Sequence, residues 1–401
     1  MNIVIPLSTK QIQFMRSVKK GIVYRGGIRS GKTFIAAYKA ILNALKGRRQ
    51  LMISFSYKAL RDAVLFTIKK CLSNMCLKPR VDYDINKSEM IVTVRGTEIL
   101  LRSGDNPDSI RGLSVHDVFI DESREFPDNE VFLIAIGRMS ESNDGQWHIT
   151  SSPKGKDWTH ALYADDGGSN VELIIQRTGE NPFLPDNYED ELRRNYTSKF
   201  AAQELEADII SMSAGVFDPG WFIMDDTYID VNENRAVRYW DTAVTIKDKS
   251  DYSAGALCTM HHGSLHILNI IKDKFTYPDL KKKIIEQAHI DGPKVIIGIE
   301  VTGQSTAFAQ DLQVDPALRG YIIKPNTPKG DKLNRCLPWA SRAESGLVRL
   351  HPGGWVANFK DECSDFSADM SHLHDDQVDS VSGAYSLLNK TVTTVTHRKL
   401  Y

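Results

Sequence analysis

Eight residues from Gly26 to Thr33, GGIRSGKT, fit the pattern G-x-x-x-x-G-K-[ST]. Around Gly26, Ser30 and Gly31 the backbone can turn its N–H groups inward on a phosphate chain. Lys32 can then reach the β- and γ-phosphates, and the Thr33 hydroxyl can ligate Mg²⁺. The spacing predicts a nucleotide hydrolase. A Gly-rich turn is the bland alternative, and the flanks argue against it: Gly21–Tyr24 reads as a strand, and Lys32–Leu45 as a helix whose N-terminus faces the anion.

A second set of groups fits the same chemistry. The run VHDVFIDES places Asp121 and Glu122 at the carboxyl end of a buried strand, where ligands of open α/β sheets bind. In such a strand the first acid assists Mg²⁺ and the second polarises the attacking water. Gln11 is a candidate to read an adenine edge, against a plain surface amide. Arg111 is a candidate for transition-state charge, in cis or in trans, against a surface cation. Thr150 and Ser151, in ITSSP, would bring hydroxyls near a γ-phosphate, against a turn before Pro153.

The second half carries spaced acids and no second phosphate loop. Asp241 ends an apolar strand pattern, Glu300 ends KVIIGIE, and Asp375, Asp376 and Asp379 open a helix-like stretch. An acid in a first strand, another ending a later strand and more at a late helix form a ribonuclease H-like order. There carboxylates converge on two metal ions about 3.5–4 Å apart. Taken singly, such acids are more often solvated, but Asp241 is expensive to bury without a partner or cation. The helix register leaves open which of Asp375, Asp376 and Asp379 face the metals. His372 and His374 read as helix-entry residues rather than ligands. Trp339, Trp355 and Phe359, near Lys329, Lys332, Arg335 and Arg342, fit either a nucleic-acid groove or a core with a basic rim.

The elements that must position these groups suggest two domains, the natural expectation at 401 residues. Apolar runs at Leu51–Phe55, Val115–Asp121, Trp147–Thr150 and Val171–Arg177, with a hairpin at Met90–Val94 and Glu98–Arg102, interleave with helical stretches. They predict an α/β domain with a mostly parallel sheet over residues 1–210. An acidic, poorly periodic stretch at 211–235 reads as an exposed linker. Residues 236–388 then predict a three-stranded meander with further strands and helices, and 389–401 a frayed tail. Residues 1–80 hold seventeen Lys and Arg against one acid, Asp62, in a chain of net charge −1. That excess fits a solvated surface or a track for a phosphate backbone. The five cysteines lack paired spacing, which indicates neither zinc nor disulfides and points to a reducing, intracellular setting; no secretion signal or membrane span is expected.

From Ser8 to Leu388 the chain resembles the large terminase subunits of tailed bacteriophages, the motor-nucleases that package DNA into proheads. The resemblance rests on GGIRSGKT, SIRGLS, VFIDES, ITSSP, SAGVF, RYWDTA, IIGIE and HDDQVDS in the family's order. It implies a P-loop ATPase domain followed by a ribonuclease H-like nuclease domain with a mixed sheet. Lys32 and Thr33 would bind ATP and Mg²⁺, Arg29 would match the arginine often found in the loop, and Glu122 would be the catalytic glutamate. Arg111 would be a trans-acting finger, and Thr150 and Ser151 would lie in the coupling motif. Asp241, Glu300 and Asp376 would be the nuclease acids, with two divalent ions, Mg²⁺ or Mn²⁺. Implied partners are double-stranded DNA, the prohead portal, the small terminase subunit and further copies assembled on the portal, in the host cell cytoplasm. The rival readings are a helicase-like or repair ATPase and a non-enzymatic DNA-binding scaffold.

Overall fold

Apolar runs in the first half of the chain are continuous rather than alternating, the mark of strands covered on both faces. The computed structural model, which describes residues 5–164, 170–210, 215–242, 252–303, 305–367, 372 and 374–389, turns them into one sheet. Its strands are β1 (Gly21–Gly26), β2 (Gln50–Ser54), β3 (Tyr83–Asn86), β4 (Ile91–Val94), β5 (Thr97–Ser103), β6 (Asp117–Asp121), β7 (Trp147–Ser151) and β8 (Val171–Gln176). They lie in the order β3-β4-β5-β2-β6-β7-β1-β8. Pairing is parallel from β5 to β8, and the β3-β4-β5 edge is antiparallel. Strand β3 was not expected, because YDIN is half exposed and lacks an apolar run.

Alternation along β1 explains its central place. Ile22 and Tyr24 pack on one face with Phe14, Ile35 and Ile41, while Val23 packs on the other with Ile120, Phe132 and Trp147. The Lys32–Leu45 helix buries Ile35, Ala36, Ala40, Ile41 and Ala44 at three- and four-residue spacing, which lays it along the sheet.

Contacts divide the chain into two compact units, Met1–Leu192 with Ser198–Ser211, and Arg193–Thr197 with Met212–Tyr401. The second holds β9 (Ile223–Met224), β10 (Ala236–Asp241), β11 (Ser253–His261), β12 (Ser264–Asp273), β13 (Ile296–Glu300), β14 (Ile323–Asn326) and β15 (Val348–Leu350). Their order is β14-β13-β10-β11-β12-β15-β9. The expected meander is β10-β11-β12, and β10 also pairs in parallel with β13, so the sheet is mixed. Trp240, Ile297 and Ile299 pack on one face with Leu280, Ile284, Phe308 and Leu312. Tyr239, on the other face, meets the Asp376–Asn389 helix at Gly383, where a Cβ would overlap its ring. The fold class expected from the sequence, a mostly parallel sheet followed by a mixed one, is the one observed.

The stretch 211–235, where it is described, mixes exposed and buried residues. Phe217 and Phe222 are buried and lie against Trp339, with ring centroids 4.3 and 6.4 Å away. Strand β9 pairs with β15. Its acidic residues set the composition, and its two phenylalanines set the structure. The same stack corrects the groove reading: Trp339 and Phe359 are fully buried core, and Trp339 Nε1 donates to Ser382 Oγ at 2.9 Å. Residues 211–214 and the tail beyond Asn389 lie outside the described residues.

Part of the early positive charge is also answered within the fold. Arg48 pairs with Asp117 at 2.7 Å, Arg49 with Glu98 at 2.6 Å and Arg61 with Asp62 at 2.7 Å. These three guanidiniums contribute less to a phosphate track than the sequence suggested.

Candidate functional site

Strand β1 delivers the Gly27–Gly31 turn, and the helix starts at Lys32 with Gly31 as its N-cap at φ 89°. Glycine is required there because L side chains avoid that conformation. Lys32 is buried; its Nζ donates to Ser152 Oγ at 2.9 Å and pairs with Glu122 Oε1 at 3.2 Å. The Thr33 hydroxyl lies 3.0 Å from each Asp121 oxygen, and Thr150 Oγ1 donates to Asp121 Oδ1 at 2.6 Å. Loop, acid strand and ITSSP therefore meet at one place. Burial pushes the Asp121 carboxyl up to about 6, and the Glu122 charge adds to the shift.

Glu122 has φ 52°, a left-handed conformation that is uncommon for a non-glycine residue. Its backbone N–H donates to Thr150 O at 2.7 Å. Arg124, which sequence reasoning missed, donates from Nη1 to Glu204 at 2.7 Å and sets its Nε 3.7 Å from Glu122 Oε2. Its backbone N–H donates to Ser151 Oγ at 3.0 Å. Ser152 was likewise missed, although it stands in the quoted ITSSP phrase.

Ser30 Oγ and Glu122 Oε2 are buried without hydrogen-bond partners, a costly arrangement that a bound group can relieve. With the Thr33 hydroxyl and Asp121 oxygens beside them, the donor set fits Mg²⁺ and a phosphate chain. Arg29 is exposed at φ 57°. Arg111 is also exposed and pairs with Asp108 at 3.0 Å and Glu130 at 3.8 Å, so both of these contacts are to surface acids. Gln11 is not a plain surface amide. It is buried and closes a capping box on the Thr9–Arg16 helix, its Oε1 accepting from Ser8 N at 3.0 Å, and its Nε2 donates to Gly31 O at 3.4 Å. It braces the loop, and the spacing S-x-x-Q was the signal.

In the second unit, β10 ends at Asp241, β13 at Glu300, and the last helix begins at Asp376. Burial raises the Asp241 carboxyl well above the usual range, and repulsion from Glu300, Asp379 and Asp376 adds to it. Asp379 is pushed up to about 6, mainly by burial. Asp375 Oδ2 pairs with Lys332 and, at 3.2 Å, with His372 Nε2, and its charge adds to the repulsion on Asp376 and Asp379. His372 also accepts from Ser367 N at 3.2 Å, so both ring nitrogens serve the helix entry, and His374 lies against Tyr252.

Lys332 and Arg335, which the sequence offered either to a groove or to a basic rim, stand among the acids. Lys332 Nζ is 3.1 Å from Asp379 Oδ2, and Arg335 is 3.3 Å from Glu300 and 3.0 Å from Asp379. Tyr239 OH donates to Glu300 Oε2 at 3.5 Å. Among the described residues, no three His, Cys, Asp or Glu side chains converge closely enough to hold one ion. The charge balance still fits a cation, since Asp241 is half-buried among like charges.

A family model for the T4-like terminase large subunit, N-terminal part, matches residues 23–224, just over half of the chain. A terminase RNaseH-like domain model matches residues 238–388. The chain belongs to the large terminase subunits. Members of this family are enzymes with ATPase and nuclease domains. The large terminase of a thermophilic bacteriophage, solved in complex with ADP, is similar with a TM-score of 0.62 at 17% identity, covering 97% of this chain and 100% of that one. Its complex with ATP-gamma-S gives 0.61 at 18% identity, covering 96% and 99%. At such identities the likeness speaks for the fold. No curated protein matches the chain. No helix among the described residues is long and apolar enough to cross a membrane.

Proposed function

We propose that this large terminase hydrolyses ATP at the first site to drive double-stranded DNA into a prohead, and cuts concatemeric DNA at the second. One observation carries the ATPase reading: the Lys32 ammonium lies 3.2 Å from Glu122 while the Thr33 hydroxyl contacts both Asp121 oxygens. The β- and γ-phosphates compete with Glu122 for Lys32. Drawing the ammonium away frees the glutamate to orient a water in line with the γ-phosphorus. Thr33 and Asp121 would hold Mg²⁺, which offsets charge on the phosphate oxygens. Thr150 and Ser151 join Asp121 to the Arg124 backbone, a route by which the acid strand can report the state of the phosphate to the rest of the unit.

In the second unit, Asp241, Glu300, Asp376 and Asp379 are the groups proposed to hold two divalent ions, Mg²⁺ or Mn²⁺. Such ions activate water and stabilise the leaving oxygen of a phosphodiester. Arg111, exposed and paired with surface acids, fits a finger offered to a neighbouring copy. The proposed partners are DNA, the portal, a small terminase subunit and other copies on the portal, with the host cytoplasm as the setting. Purified protein with plasmid DNA, with and without ATP, EDTA and each metal, tests both activities. Phosphate release stimulated by DNA and metal-dependent nicking are expected. Absence of both in folded protein refutes the proposal and favours a binding scaffold.

A further inference from the structure

We propose that Lys332 and Arg335 are a resident cation pair that competes with divalent ions for the acids of the second site and so sets the ion concentration at which that site loads. This rests on the nuclease reading above. Lys332 opens the Lys332–Glu344 helix behind Asp331, the N-cap. Its ammonium lies 2.5 Å from Asp375 Oδ2 and 3.1 Å from Asp379 Oδ2. One turn later, Arg335 places Nη1 3.3 Å from Glu300 Oε2 and Nη2 3.0 Å from Asp379 Oδ1. Residues three apart share a helix face, so one surface of this helix carries both cations into the acid cluster.

Both oxygens of Asp379 are thereby taken. An ion taking either of those oxygen positions displaces a cation, and Asp376 Oδ2 is likewise paired, with Lys272 Nζ at 3.2 Å. Acids packed at this density repel one another and resist ionisation. Two protein charges offset that repulsion, and one divalent ion would bring the same total charge. Exchange of one for the other leaves the net charge of the cluster unchanged. Lys332 has the easier exit, with a side chain 39% exposed against 16% for Arg335. Lys272 is held more firmly than Lys332, its ammonium bound to Glu362 at 2.7 Å and its side chain only 13% exposed.

The test uses full-length protein without nucleotide, titrated with Mn²⁺ by calorimetry and melted in EDTA and in saturating Mn²⁺. Lys332→Met removes the charge at nearly constant length. It is expected to bind Mn²⁺ about tenfold more tightly, since a unit charge this close to the ion opposes it strongly even at an effective dielectric constant near 20. The variant should melt below wild type in EDTA, and the gap should narrow when Mn²⁺ saturates. Lys332→Arg keeps the charge and is expected to bind like wild type. Unchanged or weaker affinity in Lys332→Met overturns the inference, as does Lys332→Arg binding as tightly as Lys332→Met. Asp241→Asn separates the two readings. If it abolishes Mn²⁺ binding while Lys332→Met matches wild type, only the cation pair falls. If wild type binds no Mn²⁺ that depends on Asp241, the nuclease reading falls with it.

Discussion

Glu122→Gln removes one charge from the first site and keeps the side chain's size. Lys32 Nζ and Glu122 Oε1 lie 3.2 Å apart. Two unit charges at that distance interact by about 5 kcal/mol at an effective dielectric constant near 20. The Glu122 side chain is 30% exposed, and desolvation and screening reduce such a pair to about 1 kcal/mol net. Nucleotide must win Lys32 from Glu122, so the variant is expected to bind ATP about fivefold more tightly. Turnover moves the other way: a positioned acid–base group typically contributes about 10²–10⁴-fold, so kcat should fall by at least about 100-fold. Titration with a fluorescent ATP analogue gives the affinity, phosphate release gives turnover, and circular dichroism checks the fold. Turnover near that of wild type refutes the role assigned to Glu122. Weaker binding refutes the competition between carboxylate and phosphate for Lys32.

Arg111→Ala is expected to lose any rise in per-subunit ATPase with protein concentration, and mixing it with Glu122→Gln should restore activity; no rescue in demonstrated mixed assemblies refutes a trans finger. Asp241→Ala should abolish plasmid nicking and spare ATP hydrolysis; cleavage at the wild-type rate refutes the nuclease assignment. Arg238→Met breaks a buried pair in which Arg238 Nη2 donates to Asp291 Oδ1 at 2.9 Å and Nη1 to Gly255 O at 3.1 Å. It should destabilise the second unit by about 3–5 kcal/mol in urea melts followed by tryptophan fluorescence, and a loss below about 1 kcal/mol would show that Asp291 finds another partner.

Strands buried on both faces were legible because burial demands continuous apolar runs: VFIDE and IIGIE each end in an acid at the sheet's carboxyl edge, and both landed there. The short strands β9, β14 and β15 were not, since two to four residues carry no periodicity and pairing with neighbours alone makes them strands. The packing of two aromatics within 211–235 was hidden for a related reason. Composition averaged over 211–235 is acidic, while Phe217 and Phe222 decide where the chain packs. The bracing role of Gln11 depends on Ser8, three residues earlier, acting as the cap of the Thr9–Arg16 helix. Lys332 and Arg335 were flagged for their charge, but only the turn of the helix brings them to acids more than thirty residues away in sequence.

Both sites meet the same electrostatic difficulty with the same means. A carboxylate at the end of a buried strand is costly to ionise, and the chain offsets that cost with its own donors: Thr33, Thr150 and Lys32 around Asp121 and Glu122, and Lys332 and Arg335 around Glu300 and Asp379. Such internal pairs stabilise the fold, and under the proposed function they would also oppose loading, because phosphate or metal would displace a partner already in place. Glu122 adds a second constraint. Its left-handed backbone costs about 1–3 kcal/mol, and the bond from its N–H to Thr150 O helps to hold it there. Under the proposed function, a glutamate fixed by its backbone, with Lys32 at 3.2 Å and Arg124 at 3.7 Å, would lose the nearer of its two charged contacts when phosphate arrives. Binding can therefore change what its carboxylate does without moving its main chain, and that is the arrangement expected of a group that must wait for substrate before it acts on water.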